Sequence, residues 1–86
     1  MRLREDCRIT GLRGRFLLVI PGEHGERDLE VNDSFSQIWA AFAAKEFALE
    51  DVVAYLEKEY GMDSATASTE ASDITGLWEK YGLTKQ

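Results

Sequence analysis

Hydrophobic residues change their spacing along the chain, and the first third has the spacing of β-strands. Residues 16–20 form a continuous apolar run ended by a Pro-Gly pair, which predicts a strand covered on both faces. Residues 28–31 alternate polar and apolar positions, as a half-buried strand does. Residues 7–10 form a weaker strand, and we predict a turn from Gly11 onward. These segments predict a three-stranded antiparallel meander.

From residue 33 onward the apolar positions recur every three or four residues, which is the period of an amphipathic helix. Three such stripes are present: Phe35, Ile38, Trp39 and Phe42; Leu49, Val52, Val53, Leu56 and Tyr60; and Ala67, Ala71, Ile74 and Trp78. Gly61 suits the left-handed end of the second helix, and Gly82 followed by Leu83 predicts a Schellman end for the third. The order of elements predicts an α+β fold, in which a three-stranded antiparallel sheet precedes a three-helix, winged-helix-like bundle.

Three polar residues, Asn32, Asp33 and Ser34, separate the last strand from the first helix. Each offers a side-chain oxygen to the unpaired N–H groups of the first helical turn. Ser34 with Gln37 three residues later matches a capping box, so we predict that this pair caps the helix beside the strand end. The second helix begins after Ala48, which has no side-chain oxygen with which to cap it.

Acidic residues dominate the helical part of the chain. Residues 1–32 carry six basic and six acidic residues, whereas residues 33–86 carry four basic and ten acidic residues, a net charge of −6. The third helix has Glu70, Asp73 and Glu79 against Lys80, although DNA affinity comes largely from Lys and Arg at phosphates. We therefore expect no nucleic-acid partner. A DNA-binding domain remains an alternative, supported only by the six arginines of the strand region.

The residue types that usually carry catalysis are isolated from one another. His24 is the only histidine and lies in a glycine-rich turn, and Cys7 is the only cysteine. The chain has no phosphate-binding loop, zinc-ligand spacing or paired-carboxylate motif. We therefore expect a protein that is not an enzyme and that holds no cofactor or metal.

The length of 86 residues allows one domain, which we expect to span residues 1–86. No apolar run approaches the ~18 residues of a transmembrane helix, and the N-terminus has no apolar signal segment. Together with the single cysteine, these features predict a cytoplasmic protein without a membrane partner. Met1 and residues 84–86, which we expect to be frayed, favour a stand-alone protein over a piece of a larger enzyme.

Two features of the chain favour the binding of a peptide or protein. The first turns of the third helix, residues 64–72, are almost all small, which predicts either close packing against a neighbour or a trough that a ligand fills. Residues 28–31 form the last strand, so a sequential strand order leaves an open edge that can template another strand. A winged-helix adaptor that binds another protein through the trough is an alternative that does not use the strand edge.

One ordered set of residues extends over most of the chain: Val31-Asn32, Ile38-Trp39, Val52, Tyr60-Gly61-Met62-Asp63, Ala67, Glu70, Ile74 and Gly82-Leu83. This set resembles the PqqD-like family, whose members are also called RiPP recognition elements, and the resemblance covers about residues 7–83. It implies a non-catalytic domain that binds the leader of a ribosomally synthesised precursor peptide. Such a domain presents the leader to a modifying enzyme, often a radical SAM enzyme.

The resemblance also implies where the leader binds. In this family the leader adds a strand to the third strand of the sheet and lies against the third helix. The corresponding residues here are Asp28, Leu29, Glu30 and Val31 for backbone pairing, and Ala67, Ala71, Ile74, Thr75 and Trp78 for the pocket. For Ile74 and Trp78 the alternative is a place in the core.

One face of the predicted sheet needs a cover of its own. Leu17 and Val19 point away from the side shared by Phe16, Leu18 and Ile20, and the helices of one small domain can cover only one side. The sequence leaves three covers open: the modifying enzyme, a second copy of the chain in a homodimer through the sheet, or the N-terminal segment.

Overall fold

The computed structural model describes residues 1–85 and contains three helices and five strands. In chain order they are β1 (Arg2–Leu3), β2 (Arg8–Leu12), β3 (Arg15–Ile20), β4 (Arg27–Val31), α1 (Asp33–Phe42), α2 (Leu49–Tyr60), α3 (Ser64–Lys80) and β5 (Thr84–Lys85). The two-residue strands β1 and β5 were not predicted, and β5 forms where we expected a frayed end. Residue 86, the last of that end, lies outside the described residues.

The chain divides into two units by its internal contacts. Residues 3–45 form one unit, which contains β2, β3, β4 and α1. The other unit contains α2 and α3 and consists of residues 1–2 and the chain from Glu46 onward. The α+β class is confirmed by the sheet and the three helices. The winged-helix-like arrangement and the single domain stay predictions.

In the first unit, β2, β3 and β4 form an antiparallel sheet in that order, which confirms the predicted meander. Leu18 of the central strand is fully buried. The predicted turn from Gly11 was wrong, because β2 continues through Gly11 and pairs it with Phe16. The turn itself consists of Arg13 and Gly14, whose φ angles of 52° and 77° identify a type I′ turn, the type that suits a two-residue hairpin.

Helix α1 begins directly after β4. Asn32 is its N-cap, and the side-chain Oδ1 accepts a hydrogen bond from the N–H of Phe35 at 2.8 Å. The predicted capping box of Ser34 and Gln37 was wrong, because the helix begins at Asp33 and Ser34 already lies inside its first turn. Gln37 instead donates from Nε2 to the carboxylate of Asp33 at 3.0 Å. The predicted apolar face is confirmed by three buried residues, Ile38, Trp39 and Phe42.

In the second unit, an acidic side chain accepts a backbone hydrogen bond at the start of each helix. Ala48 precedes α2 and cannot cap it, so the carboxylate of Asp51 accepts the N–H of Ala48 at 2.7 Å and supplies half of a capping box. Asp63 caps α3 by accepting the N–H of Thr66 at 2.8 Å, and this hydrogen bond lowers the pKa of Asp63. Gly61 ends α2 in the left-handed conformation at φ 64°, as predicted.

The end of α3 confirms the predicted Schellman motif. The N–H of Leu83 donates to the carbonyl of Trp78 at 2.8 Å, and the N–H of Gly82 donates to the carbonyl of Glu79 at 3.0 Å. Gly82 has the positive φ of 67° that the motif requires. Leu83 is fully buried, as its hydrophobic role in the motif demands.

Candidate functional site

Strand β4 lies at one edge of the sheet. Its inner side pairs with β3, and among residues 1–85 no strand pairs with its outer side. Asp28 and Glu30 are exposed, whereas Leu29 and Val31 are half-buried. The alternation predicted from the sequence is therefore present in the structure, on a strand whose outer edge is open.

The turn between β2 and β3 determines which backbone groups of the sheet face which neighbour. A β-turn is closed by a hydrogen bond between its first and fourth residues, here Leu12 and Arg15. Hydrogen-bonded and non-bonded pairs then alternate along an antiparallel ladder. Arg15 and every second residue after it therefore bond β2, so the intervening residues of β3 direct their N–H and C=O groups toward β4.

The register carries this alternation across to β4. Leu18 lies opposite Leu29 and Phe16 lies opposite Val31, so the backbone groups of Leu29 and Val31 bond β3. The backbone groups of Asp28 and Glu30 consequently face the open edge. Of the four residues predicted for backbone pairing, these two present free N–H and C=O groups, and the other two contribute side chains.

The two carboxylates of β4 differ in their surroundings. Glu30 lies 4.0 Å from the guanidinium of Arg15, and both side chains are largely exposed. Asp28 forms no ion pair with any residue in the described chain. Because an exposed pair at this distance contributes little, both carboxylates are available to a cation that approaches along the edge.

The residues predicted for the helical pocket lie in the other unit, on α3. Ala67, Ala71, Thr75 and Trp78 are all buried in the free chain, and Ile74 is half-buried. The Thr75 hydroxyl donates to the Ala71 carbonyl at 2.9 Å, inside the helix. The Trp78 ring packs edge-to-face on Phe47 with centroids 5.8 Å apart, which is the core position left open for it. This side of α3 therefore has the close packing that small residues permit.

The outer small residues of α3 border a shallow hollow that the sequence did not reveal. Its lining consists of Leu49, Glu50 and Val53 from α2 and Ser68 and Ser72 from α3. Leu49 and Val53 are four residues apart, as are Ser68 and Ser72, so each pair forms one rim. The i,i+4 spacing places the two serines on one side of α3, but the same spacing relates the buried Ala67 and Ala71, so the sequence carries no signal specific to this hollow.

The two apolar residues on the second face of the sheet differ in exposure. Val19 is only 7% exposed within the chain itself, and Leu17 is half-buried. The register places charged or polar residues beside both of them: Arg8 and Asp28 beside Val19, and Thr10 and Glu30 beside Leu17. A homodimer through this face stays a prediction.

The two groups considered for catalysis are Cys7, which is buried, and His24, which is exposed. Burial raises the pKa of the Cys7 thiol, which keeps it in the unreactive protonated form. His24 lies exposed in the turn before β4. Among residues 1–85, no group of three or more metal-ligating side chains is present, and no helix is long and apolar enough to cross a membrane.

No family model, curated protein or solved structure matches this chain. The resemblance to the PqqD-like family therefore stays a prediction. The site with the most defined geometry is the open edge of β4, where two residues direct both of their backbone groups outward.

Proposed function

We propose that this chain binds an extended peptide by strand addition to β4, and that the peptide is the leader of a ribosomally synthesised precursor. The chain would present the leader to a modifying enzyme such as a radical SAM protein. The observation that carries the proposal is the outward direction of the backbone groups of Asp28 and Glu30. An incoming strand gains main-chain hydrogen bonds there, whatever its sequence.

The energy of these hydrogen bonds limits what the backbone alone can achieve. Two N–H and two C=O groups contribute ~1 kcal/mol each, or about 4 kcal/mol together. Association costs ~4–15 kcal/mol in lost freedom of motion, so the backbone alone does not hold the peptide. Side-chain contacts must supply the remainder, and we expect a dissociation constant between micromolar and high nanomolar.

The charge of the chain opposes the alternative of DNA binding. The acidic residues Glu70, Asp73 and Glu79 are all exposed on α3. They would repel phosphates and attract a basic peptide, so leader binding should weaken as the salt concentration rises.

A titration of the isotope-labelled chain tests the proposal. The ligand is the leader of a small precursor encoded beside the gene, and the measurement is the chemical shift of each backbone amide. We expect the largest changes at residues 28–31. Changes on adding duplex DNA, combined with no response of residues 28–31 to any leader, would overturn the proposal.

The hollow between α2 and α3 supports a second candidate function, an adaptor that binds another protein. Leu49 is 38% exposed at its rim, which offers an apolar contact next to Ser68 and Ser72. In the same titration, an adaptor would respond to a larger protein with shifts along this rim and would leave β4 unchanged.

A further inference from the structure

The two faces of β4 present different chemistry to a strand that adds to its edge. Asp28 and Glu30 are on the face shared with Val19 and Leu17, because opposite residues of an antiparallel pair point to the same side. Leu29 is on the other face, opposite the fully buried Leu18. One face of the edge is therefore acidic and the other apolar.

An added strand extends both faces by one row of side chains. Residues of the added strand that lie opposite Asp28 and Glu30 share the acidic face, and the residue between them shares the face of Leu29. This assignment holds for either direction of the added strand. Because successive side chains alternate between faces, the favoured residues in the peptide must alternate as well.

The hydrogen-bond pattern strengthens the central apolar contact. With Asp28 and Glu30 bonded to an antiparallel peptide, the residue opposite Leu29 forms a non-hydrogen-bonded pair. Such pairs bring their Cα atoms to about 4.5 Å, closer than the bonded pairs on either side. An apolar side chain at this position therefore meets Leu29 at the shortest separation along the edge.

We infer that the peptide segment recognised by β4 alternates basic and apolar residues. A Lys or Arg lies opposite Asp28, another lies opposite Glu30, and an apolar residue lies opposite Leu29. This inference rests on the proposed function and names the class of leader that the edge selects. These three side-chain contacts add to the backbone hydrogen bonds, which alone do not hold the peptide.

Two synthetic peptides of equal composition test the alternation. One contains the core Val-Lys-Val-Lys-Val and the other Lys-Lys-Val-Val-Val, each between the same Gly-Ser flanks with a fluorescent label. In the second peptide no register places two lysines opposite Asp28 and Glu30 at once. Non-specific attraction to the acidic chain is equal for both, because their charges are equal. We expect the alternating peptide to bind about tenfold more tightly, by fluorescence anisotropy.

A charge swap assigns the preference to β4. In Asp28→Lys/Glu30→Lys, the favoured core should become Val-Glu-Val-Glu-Val. The control Glu50→Lys/Glu59→Lys changes the net charge equally at exposed helical positions and should keep the preference for lysine. Asp28→Asn provides a milder variant if the swap fails to fold, and we expect it to lose about threefold in affinity for the alternating lysine peptide.

Amide shifts separate the inference from the proposed function. If both lysine peptides shift residues 28–31 and bind equally, strand addition stands and the alternation is overturned. If neither peptide nor any leader shifts these residues, both proposals fail. The inference is supported if the alternating peptide binds more tightly and shifts residues 28–31. In addition, the charge swap must invert the peptide preference, or Asp28→Asn must weaken the binding of the alternating lysine peptide.

Discussion

The sheet has two outer edges, which offer similar backbone groups with very different side chains. On β4 the outward groups belong to Asp28 and Glu30, and by the same alternation those of β2 belong to Ile9 and Gly11. Among residues 1–85, neither edge is paired with a further strand of this sheet. An open edge alone therefore does not distinguish a binding strand from a merely terminal one.

The side chains and the ends of the two strands make the difference. Gly11 contributes no side chain to a ligand and increases the backbone entropy that ordering β2 must overcome. β2 is followed by the Arg13-Gly14 turn, whereas β4 is followed by Asn32, which is hydrogen-bonded into the first turn of α1. An edge therefore becomes a site when its side chains select a ligand and its end is fixed.

Proline at an outward position of β4 should have the largest effect on peptide binding. Glu30→Pro removes an outward N–H without removing a hydrogen bond to β3, a position at which edge strands tolerate proline. We expect peptide affinity to fall by about tenfold or more, since a backbone bond is lost and the ring obstructs the added strand. Anisotropy with the alternating lysine peptide measures the loss.

Gly11→Pro is the matched change on the other edge. A Cβ at this position would lie 3.9 Å from the nearest neighbouring atom, on the ring of Phe16, so the site has room for it. We expect affinity within about twofold of the parent chain, because β2 is not the receiving strand. Glu30→Gln separates the loss of charge from the loss of the N–H. If the peptide still binds the Glu30→Pro variant but no longer binds the Gly11→Pro variant, the binding site lies on β2.

Truncation of the apolar residues on either side of Leu18 should have a smaller effect. Ile9 and Leu29 lie opposite Leu18 from the two sides, and both are half-buried. Ile9→Ala and Leu29→Ala should each lower the free energy of unfolding by ~1–2 kcal/mol, less than a fully buried position would. Urea unfolding followed by circular dichroism measures both values.

The same two variants should differ in peptide binding. Leu29→Ala removes the apolar contact of the receiving edge and should lower the affinity for the alternating peptide severalfold. Ile9→Ala should leave this affinity unchanged. Equal losses of affinity would mean that the peptide responds to the stability of the sheet and not to one edge.

The sequence predicted those elements whose signals are local. The period-two pattern at residues 28–31, the buried face of α1 and the glycine ends of α2 and α3 all appear as expected. The outward direction of Asp28 and Glu30 was not predictable, because it depends on a turn two strands away. Gly11 and Gly14 both suited that turn, and only the register shows that Gly14 is part of it.

The small residues of α3 divide into a buried set and an exposed set. Small residues predict a close approach of two surfaces, but composition does not say which side of the helix is buried. Ala67 and Ala71 are buried, whereas Ser68 and Ser72 border the hollow beside α2. Alanine and serine are similar in size, so only the positions of neighbouring elements separate packing from an open surface.

The smallest expected effect concerns the residue that fixes the end of β4. Asn32, Asp33 and Ser34 can all cap a helix, and the structure assigns the cap to Asn32 because the β3–β4 ladder ends at Val31. Asn32→Ala should cost ~1 kcal/mol of unfolding free energy, whereas Ser34→Ala should change it by a few tenths at most. Thermal unfolding by circular dichroism compares the two. If Ser34→Ala were the costlier change, the cap and the fixed end that distinguishes β4 from β2 would both be misassigned. With Asn32 as the cap, Asn32→Ala should also slightly weaken the binding of the alternating peptide, because the receiving strand is then less ordered before binding.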